Sequence, residues 1–446
     1  MDQPPPRADG SALRTDALAV LVRLREARHE AYFAGGCVRD ELLGLAPQDF
    51  DVATDARPPR VRELFKNTQA VGAAFGVILV RQGRSVVEVA TFRSDGSYGD
   101  GRRPDAVLFT TAQADAQRRD FTINGLFLDP LQNRVIDHVG GQADLAAKVV
   151  RAIGDPHLRF SEDHLRLLRA VRFAARLGFA IEPATAAAIV SHAPELAGIS
   201  PERIADELRR MLTPPTGCGA AKSLQSHGLL DVLMRFLPQK GAGDEGGGAA
   251  GDAGGGAAGM GVDLLCALEP ATNQPVSFGL ALAALTLGVR MTKTQGSNPA
   301  QWLTPAAVRS ATAAMRQTLK ISNDEEAAMA GSLGFGALLN AEPTVAMLKR
   351  FLARPYSADA RLLMGAAARC DLSADRLSAA LDQLAALEQT DFAPPPLISG
   401  DDLTAAGAAP GPAFKRALDA VYDEQLEGRM TDRAAALEMA MRLVRG

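Results

Sequence analysis

The chain has 446 residues and a formal net charge of −4. That length exceeds one hydrophobic core, so several domains are expected; the charge excludes a uniformly basic nucleic-acid binder but permits a local basic surface. The four cysteines (Cys37, Cys218, Cys266, Cys370) are far apart and form no CxxC pair, which favours a reducing cytoplasm over a disulfide framework or a zinc site. Residues 1–10 are polar and proline-rich, without the apolar centre of a signal peptide. The longest apolar stretch, Phe278–Val289, is shorter than the ~18 residues of a membrane span and reads as a buried helix. No membrane association is expected, and no protein partner is identifiable.

In chain order, Ala31–Ala34 predicts a short strand leading into a Gly35-Gly36 turn. Val38–Leu43 follows as a helix closed by Gly44. Two glycines let a backbone approach a ligand closely, and a helix start attracts phosphate. Asp49–Ala53 predicts a second strand, on which Asp49 and Asp51 share a face. Val77–Val80 and Ser85–Phe92 flank a Gln82-Gly83-Arg84 turn and read as a hairpin. Arg93–Asp105 is polar and glycine-containing, hence a loop, and Val107–Phe109 and Leu126–Leu128 add strand edges. From about Leu145 apolar residues recur at helical spacing to the end of the chain. Residues 241–260 are half glycine and predict a flexible insertion or linker. All six histidines lie at or before His227, so the helical remainder carries no His-Asp hydrolase domain.

Two carboxylates beside a phosphate-binding turn suit Mg²⁺ on a nucleotide. Either feature alone is ordinary, since glycine is the default turn residue; with Arg39 one helical turn in, nucleotide chemistry becomes the better reading. Glu88 reads equally as an exposed strand residue or as a third carboxylate beside Asp49 and Asp51. In the run 118–124, Arg118 and Arg119 offer forked donors for phosphate, and Asp120 and Asn124 suit ribose hydroxyls; a charged helix cap explains the same run. A helix is expected from Ser161 as N-cap, with Glu162 and Asp163 in its first turn. Asp163, Arg166, Arg169 and Arg172 recur every three residues along it, so neighbours in the row serve one ligand. An amphipathic helix with a Glu162–Arg166 pair is the plain alternative.

Taken in order, GGCVRD (35–40), DFDVAT (49–54), VEVATFR (87–93), GRRPD (101–105), RRDFTIN (118–124), GGQADL (140–145), IGDPHLRF (153–160), EDHLRLLRAVRFAARLGF (162–179) and PERIADEL (201–208) resemble the class II tRNA nucleotidyltransferase and bacterial poly(A) polymerase family, in the polymerase-β nucleotidyltransferase superfamily. A weaker match returns in LISGDDL (397–403). The resemblance implies an α+β chain: a nucleotidyltransferase head with a small mixed sheet (1–145), then an all-helical neck (146–212), body (213–300, with the insertion at 241–260) and RNA-binding tail (301–446). It implies Asp49 and Asp51 as metal-binding carboxylates; Glu88 joins the catalytic set on its strand position alone. Gly35, Gly36 and Arg39 match triphosphate contacts. Arg119, with Asp120 and Asn124, matches nucleotide binding. Asp163 and Arg166 match the pair that reads the incoming base, and Arg169 and Arg172 match further nucleotide contacts.

The base-reading role has a physical basis. Cytosine and adenine each present an amino donor beside a ring-nitrogen acceptor, which a carboxylate and an arginine complement. Guanine and uracil present the reverse order, and a mismatched polar edge in a buried site is rejected on the order of 10⁴-fold. The implied reaction is attack of a tRNA 3′-hydroxyl on the α-phosphate of CTP or ATP with Mg²⁺ as cofactor, in the cytoplasm. Full CCA addition is favoured by the Arg93–Asp105 loop, by the run 73–77 with the VEVATFR strand, and by the helix at Pro201–Leu208. An A-adding specialist, a poly(A) polymerase and a non-catalytic RNA-binding relative are the alternatives. Contacts to tRNA are expected from Lys and Arg of the helical part, such as Lys415 and Arg416. Gly125 departs from the alanine usual after RRDFTxN.

Overall fold

The computed structural model describes residues 10–72, 75–96, 107–233, 256–268, 275–292, 300, 302–340 and 342–445. The chain forms two compact units, residues 1–199 with 227–229, and residues 200–226 with 230–446.

The first unit is built on a sheet. Helix α1 (Gly10–Glu26) carries Ala17, Val20, Leu21 and Leu24 at helical spacing, all fully buried. Then come β1 (Ala31–Ala34), α2 (Gly36–Leu42), β2 (Asp51–Thr54), α3 (Pro58–Leu64), β3 (Thr68–Gly72), β4 (Val77–Gln82) and β5 (Ser85–Thr91). A short ribbon, β6 (Arg93–Asp95) with β7 (Val107–Phe109), precedes α4 (Ala112–Gln117), a 3₁₀ turn at Thr122–Asn124, β8 (Leu126–Asp129) and β9 (Arg134–Asp137). The seven main strands take the order β3-β4-β5-β2-β1-β8-β9. Only β2 and β5 run parallel, with Val52 opposite Val89; β1 pairs antiparallel to β2, with Ala34 opposite Asp51.

Alternation assigns the two faces. Ser85, Val87, Val89 and Thr91 of β5 are buried while Val86 and Glu88 are exposed. Phe33 of β1 lies under the Arg14 guanidinium of α1, 5.7 Å from it, so that face belongs to α1. On the opposite face Ala34, Ala53, Phe92 and Phe127 cluster with Ala112 and Ala116 of α4. That face, at the end where β2 begins, holds the acidic residues.

The chain then continues through α5 (Gly141–Ala147), β10 (Val149–Val150), α6 (Pro156–Glu162), α7 (Leu165–Leu177), β11 (Ala180–Ile181) and α8 (Pro183–His192). Helices α9 (Pro201–Leu212), α10 (Gly217–Ser226), α11 (Leu229–Leu233), α12 (Gly256–Leu268) and α13 (Phe278–Thr292) follow, and the remaining described elements, to Arg445, are all helices. As the apolar run 278–289 predicts, α13 is a core helix: Leu280–Leu285 are at most 4 % exposed. No described helix is long and apolar enough to cross a membrane.

Several expectations need correction. Strand β2 begins at Asp51, so Asp49 stands in its approach rather than on it. Helix α2 starts two residues earlier than predicted, at Gly36. The start of the polar loop at 93–105 pairs as a ribbon, with Ser94 opposite Leu108; residues 97–106 lie outside the described residues, as do Ala73 and Ala74 of the run 73–77. The single helix expected from Ser161 is two helices. Asp155 caps α6 by accepting from the His157 N–H at 2.9 Å, and Pro156 occupies its first position, so the helix starts a turn and a half early. It ends at Asp163, which is extended at φ −150° and ψ 103°. Ser161 therefore sits in the last turn of α6, its hydroxyl donating to the His157 carbonyl at 2.9 Å.

The glycine-rich segment is also shorter than its composition implies: residues 256–260 open α12, and 241–255 lie outside the described residues. The cysteine expectation fails too. Cys218 of α10 and Cys266 of α12 form a disulfide, with Cα atoms 4.5 Å apart. They are 48 residues apart in sequence, and only the packing of α10 on α12 brings them together, so spacing carried no signal. Cys37 is buried, and burial pushes its thiol up to about 12.

Gly125 has a local cause. A Cβ built there would stand 2.7 Å from Val139 Cγ2 and 3.2 Å from Ile153 Cδ1, so these neighbours leave no room for the methyl group of an alanine. Gly125→Ala should destabilise the protein by about 1–3 kcal/mol through overpacking, read as a lowered midpoint in urea with an unchanged slope.

Candidate active site

Three acidic side chains converge beside the start of β2. One residue before the Val52–Val89 pair, the parallel register sets Asp51 beside Glu88 on the α4 face. Burial, then the charges of Glu88 and Asp49, push the Asp51 carboxyl up to about 7 against the pull of Arg119. Burial and then Asp49 likewise raise Glu88, opposed by Arg119 and Arg93. Glu88 is therefore within the field of the aspartate pair, although its residue surface is exposed. Among the described residues no three His, Cys, Asp or Glu side chains form a ready metal cage. The set still fits a hard divalent cation: its donors are carboxylate oxygens, and their mutual repulsion is what a bound cation relieves.

The Gly35 turn lies at the end of β1, beside this cluster. Gly35 has φ +74°, a left-handed conformation that favours glycine. A Cβ there would stand 3.0 Å from Arg119 Nη1. The absent side chain is thus what lets Arg119 reach the turn. Gly36 opens α2.

Arg119 is held on several sides. Its Nε and Nη2 donate to the Asp115 carboxylate at 3.2 and 3.0 Å. Its Nη1 donates to the Asn124 carbonyl at 3.3 Å, and its guanidinium lies 5.1 Å from the Phe127 ring centroid. Arg118 Nε donates to the other Asp115 oxygen at 2.8 Å.

The remaining expected residues form an internal network. Arg39 is only 2 % exposed. Its Nε donates to Asp40 at 2.8 Å and its Nη1 to Asn124 Oδ1 at 2.6 Å, and the guanidinium lies 5.0 Å from the Phe173 centroid. Asn124 in turn donates to Asp120 at 3.1 Å, and Asp120 accepts from Arg169 at 2.5 and 2.9 Å. Burial alone would raise the Asp120 carboxyl, but Arg169, Asn124 and the Phe121 N–H outweigh it and hold the group down to about 2. Arg39, Asp120 and Asn124 thus face one another rather than an open cleft.

On the α6–α7 joint, Arg166 is 9 % exposed. It donates to Glu162 at 2.5 Å, the pair its spacing suggests, and to the Arg159 carbonyl at 2.8 Å. The Asp163 carboxylate accepts from the Leu165 N–H at 3.1 Å, capping α7. Arg172 lies over the Phe173 ring at 4.3 Å.

Two residues escaped the sequence reading. Asp115 had a signal, its i,i+3 and i,i+4 spacing to Arg118 and Arg119. Asp40 had none: its second partner, Arg176, donates at 2.8 Å from 136 residues away.

The chain matches known proteins in both sequence and fold. Residues 31–151 match the poly A polymerase head domain, and 178–240 match the probable RNA and SrmB-binding site of polymerase A. The CCA-adding enzyme of Lacticaseibacillus paracasei is 46% identical over 198 residues, covering 44% of this chain and 50% of that enzyme. Poly(A) polymerase I of Salmonella typhi is 43% identical over 244 residues, covering 51% and 52%. The chain spans about half the length of the curated relatives it matches. A crystal structure of the Bacillus stearothermophilus CCA-adding enzyme in complex with CTP superposes with a TM-score of 0.66 at 27% identity, over 95% of this chain and 96% of that one. A Thermotoga maritima CCA-adding enzyme complexed with tRNA shares the fold at a TM-score of 0.66 and 18% identity, over 98% and 96%. By its two domain matches, its relatives and its fold, the chain is similar to CCA-adding enzymes and poly(A) polymerases, with a poly A polymerase head domain over residues 31–151.

Proposed function

We propose that this chain is a template-independent RNA nucleotidyltransferase that builds CCA on the 3′ end of tRNA from CTP and ATP. The observation that carries the reading is the repelling carboxylate set of Asp49, Asp51 and Glu88, faced by Arg119 beside the Gly35 turn. The likeness to an enzyme solved with CTP supports it. In this reading residues 1–145 are the head, 146–212 the neck, 213–300 the body and 301–446 an RNA-binding tail.

Asp49 and Asp51, with Glu88 beside them, are the residues to hold Mg²⁺, which when bound lowers the pKa of an attacking 3′-hydroxyl and neutralises charge on departing pyrophosphate. Arg119 binds triphosphate oxygens from the opposite side, through donors its guanidinium plane fixes in a fork. Gly35 and Gly36 let backbone approach the same group. Asp163 and Arg166 read the base edge, the carboxylate accepting the amino group of C or A and the guanidinium donating to the ring nitrogen. Arg169 and Arg172 support the row. Arg39, Asp120 and Asn124 act from within, by fixing the turn that carries Arg119 against α7.

Poly(A) synthesis is the second reading, favoured by the Salmonella relative's near-equal identity. Three tRNA transcripts, ending before the C's, after one C and after both, separate the readings. CCA addition predicts CTP incorporation on the first two and a single ATP on the third. Incorporation of ATP alone, only onto the CC-ended transcript, would replace it with an A-adding enzyme, and long A-tails on unstructured RNA with a poly(A) polymerase.

Asp51→Asn should lower CTP and ATP incorporation by about 10²-fold or more. The same change removes a like charge from beside Asp49 and Glu88, so the thermal midpoint without divalent metal should stay level or rise. A fall in both would mark Asp51 as structural. Asp163→Ala and Arg166→Ala should relax discrimination against GTP and UTP by about 10²-fold, measured as ratios of kcat/KM; an equal loss for all four nucleotides would contradict base reading.

A further inference from the structure

Outside the acidic cluster and the Arg39 network, Asp115 is a further tightly held charge in the head. It is 1 % exposed and sits on α4, whose other inward residues, Ala112 and Ala116, are apolar. One carboxylate there serves donors from three residues. Oδ1 accepts from Arg118 Nε at 2.8 Å and from the Arg93 backbone N–H at 3.2 Å. Oδ2 accepts from Arg119 Nε and Nη2 at 3.2 and 3.0 Å. Burial works against its charge, and Arg119 and then Arg118 overcome that to hold the carboxyl below its ordinary range.

A surface i,i+4 pair contributes a few tenths of a kcal/mol and has no reason to be buried. Asp115 differs in three respects. First, it neutralises one of two guanidiniums, so the assembly keeps a surplus positive charge. Second, it engages the Nε–Nη2 edge of Arg119 and leaves Nη1 against the Gly35 turn, where a Cβ would come within 3.0 Å. Third, through the Arg93 N–H it fixes the start of the β6–β7 ribbon, and Arg93 and Arg119 are the two cations opposing the charge of Glu88. One buried carboxylate therefore holds the Arg119 guanidinium directly and the backbone of Arg93, whose own guanidinium donates to the Phe75 carbonyl.

We infer that Asp115 is a positioning residue for the triphosphate: it holds Arg119 so that its guanidinium meets phosphate oxygens between the Gly35 turn and the carboxylates. The inference rests on the nucleotidyltransferase reading for the ligand's identity, and requires only that a polyphosphate binds there.

The test titrates the full chain with inorganic tripolyphosphate, and with CTP, by calorimetry. Wild type, Asp115→Asn, Arg119→Gln and the double variant are compared, each checked for its thermal midpoint. Asp115→Asn should weaken both ligands by about 10-fold, in line with a displaced charge-assisted contact. In the Arg119→Gln background the same change should weaken them less than about 2-fold, the non-additivity of two residues acting as one. Unchanged binding in Asp115→Asn overturns the inference. So does an equal loss in both backgrounds, which marks a structural role, and so does failure of the wild type to bind tripolyphosphate. If Asp115→Asn does not fold, Asp115→Glu replaces it; this variant keeps the charge but moves it by one methylene, and the same two outcomes decide. Incorporation assays on the same wild-type sample judge the underlying reading separately. A chain that binds tripolyphosphate through Asp115 but transfers neither CTP nor ATP overturns the proposed function and leaves the positioning role standing.

Discussion

The head is organised around a guanidinium that never reaches solvent. Arg39 lies between Asp40 and Asn124 with Phe173 against it, only 2 % exposed. Burying such a charge costs several kcal/mol unless its donors are met. Here the demand propagates: Asp40 also takes Arg176, and Asn124 also donates to Asp120, which takes Arg169. The chain of contacts ties α2, the Thr122–Asn124 turn and α7 into one piece. Removing a single member would strand a buried charge, a loss of about 3–5 kcal/mol. The network therefore sets where both the Arg119 turn and the α7 arginine row stand.

The acidic cluster shows the opposite condition in the same unit. Asp120, more buried than Asp51, stays ionised down to about 2 because Arg169, Asn124 and an N–H meet it. Asp51 is pushed up to about 7 because its neighbours are carboxylates and Arg119 offsets them only in part. One carboxylate is satisfied by the fold and the other is left wanting a cation. Local rules fail most often at functional sites, and this contrast singles out the surroundings of Asp51 as the candidate.

The strands, the hairpin turn at Gly83 and the buried helix at 278 were legible because their signals are local: alternation, turn residues and apolar runs. The pairing of β2 with β5, which sets Glu88 beside Asp51, was not, since a parallel register depends on residues 37 apart. The partners of Arg39 and Asp120 were not legible for a related reason. Arginine and aspartate read alike whether they meet a ligand or each other, and only their partners distinguish the two. Long-range pairs such as Asp40 with Arg176 and Cys218 with Cys266 left no trace in spacing at all.

The break at Asp163 shows how a local rule can be right in its parts and wrong in its sum. Ser161, Glu162 and Asp163 are all good helix-start residues, yet the start belongs to Asp155 and Pro156, whose cap and fixed φ act first. The acidic residues then fall at the end of α6, where the helix dipole disfavours them. Arg159 and Arg166 compensate Glu162 from its own and the following helix, and Asp163 leaves the helix to cap the next one. An unbroken helix would fix Asp163 and Arg166 on one rigid face. The joint instead ends one helix and starts the next at Asp163, whose carbonyl accepts from the Arg166 N–H at 3.0 Å and whose carboxylate accepts from the Leu165 N–H at 3.1 Å, so the pair of the base-reading proposal is tied together through the first turn of α7.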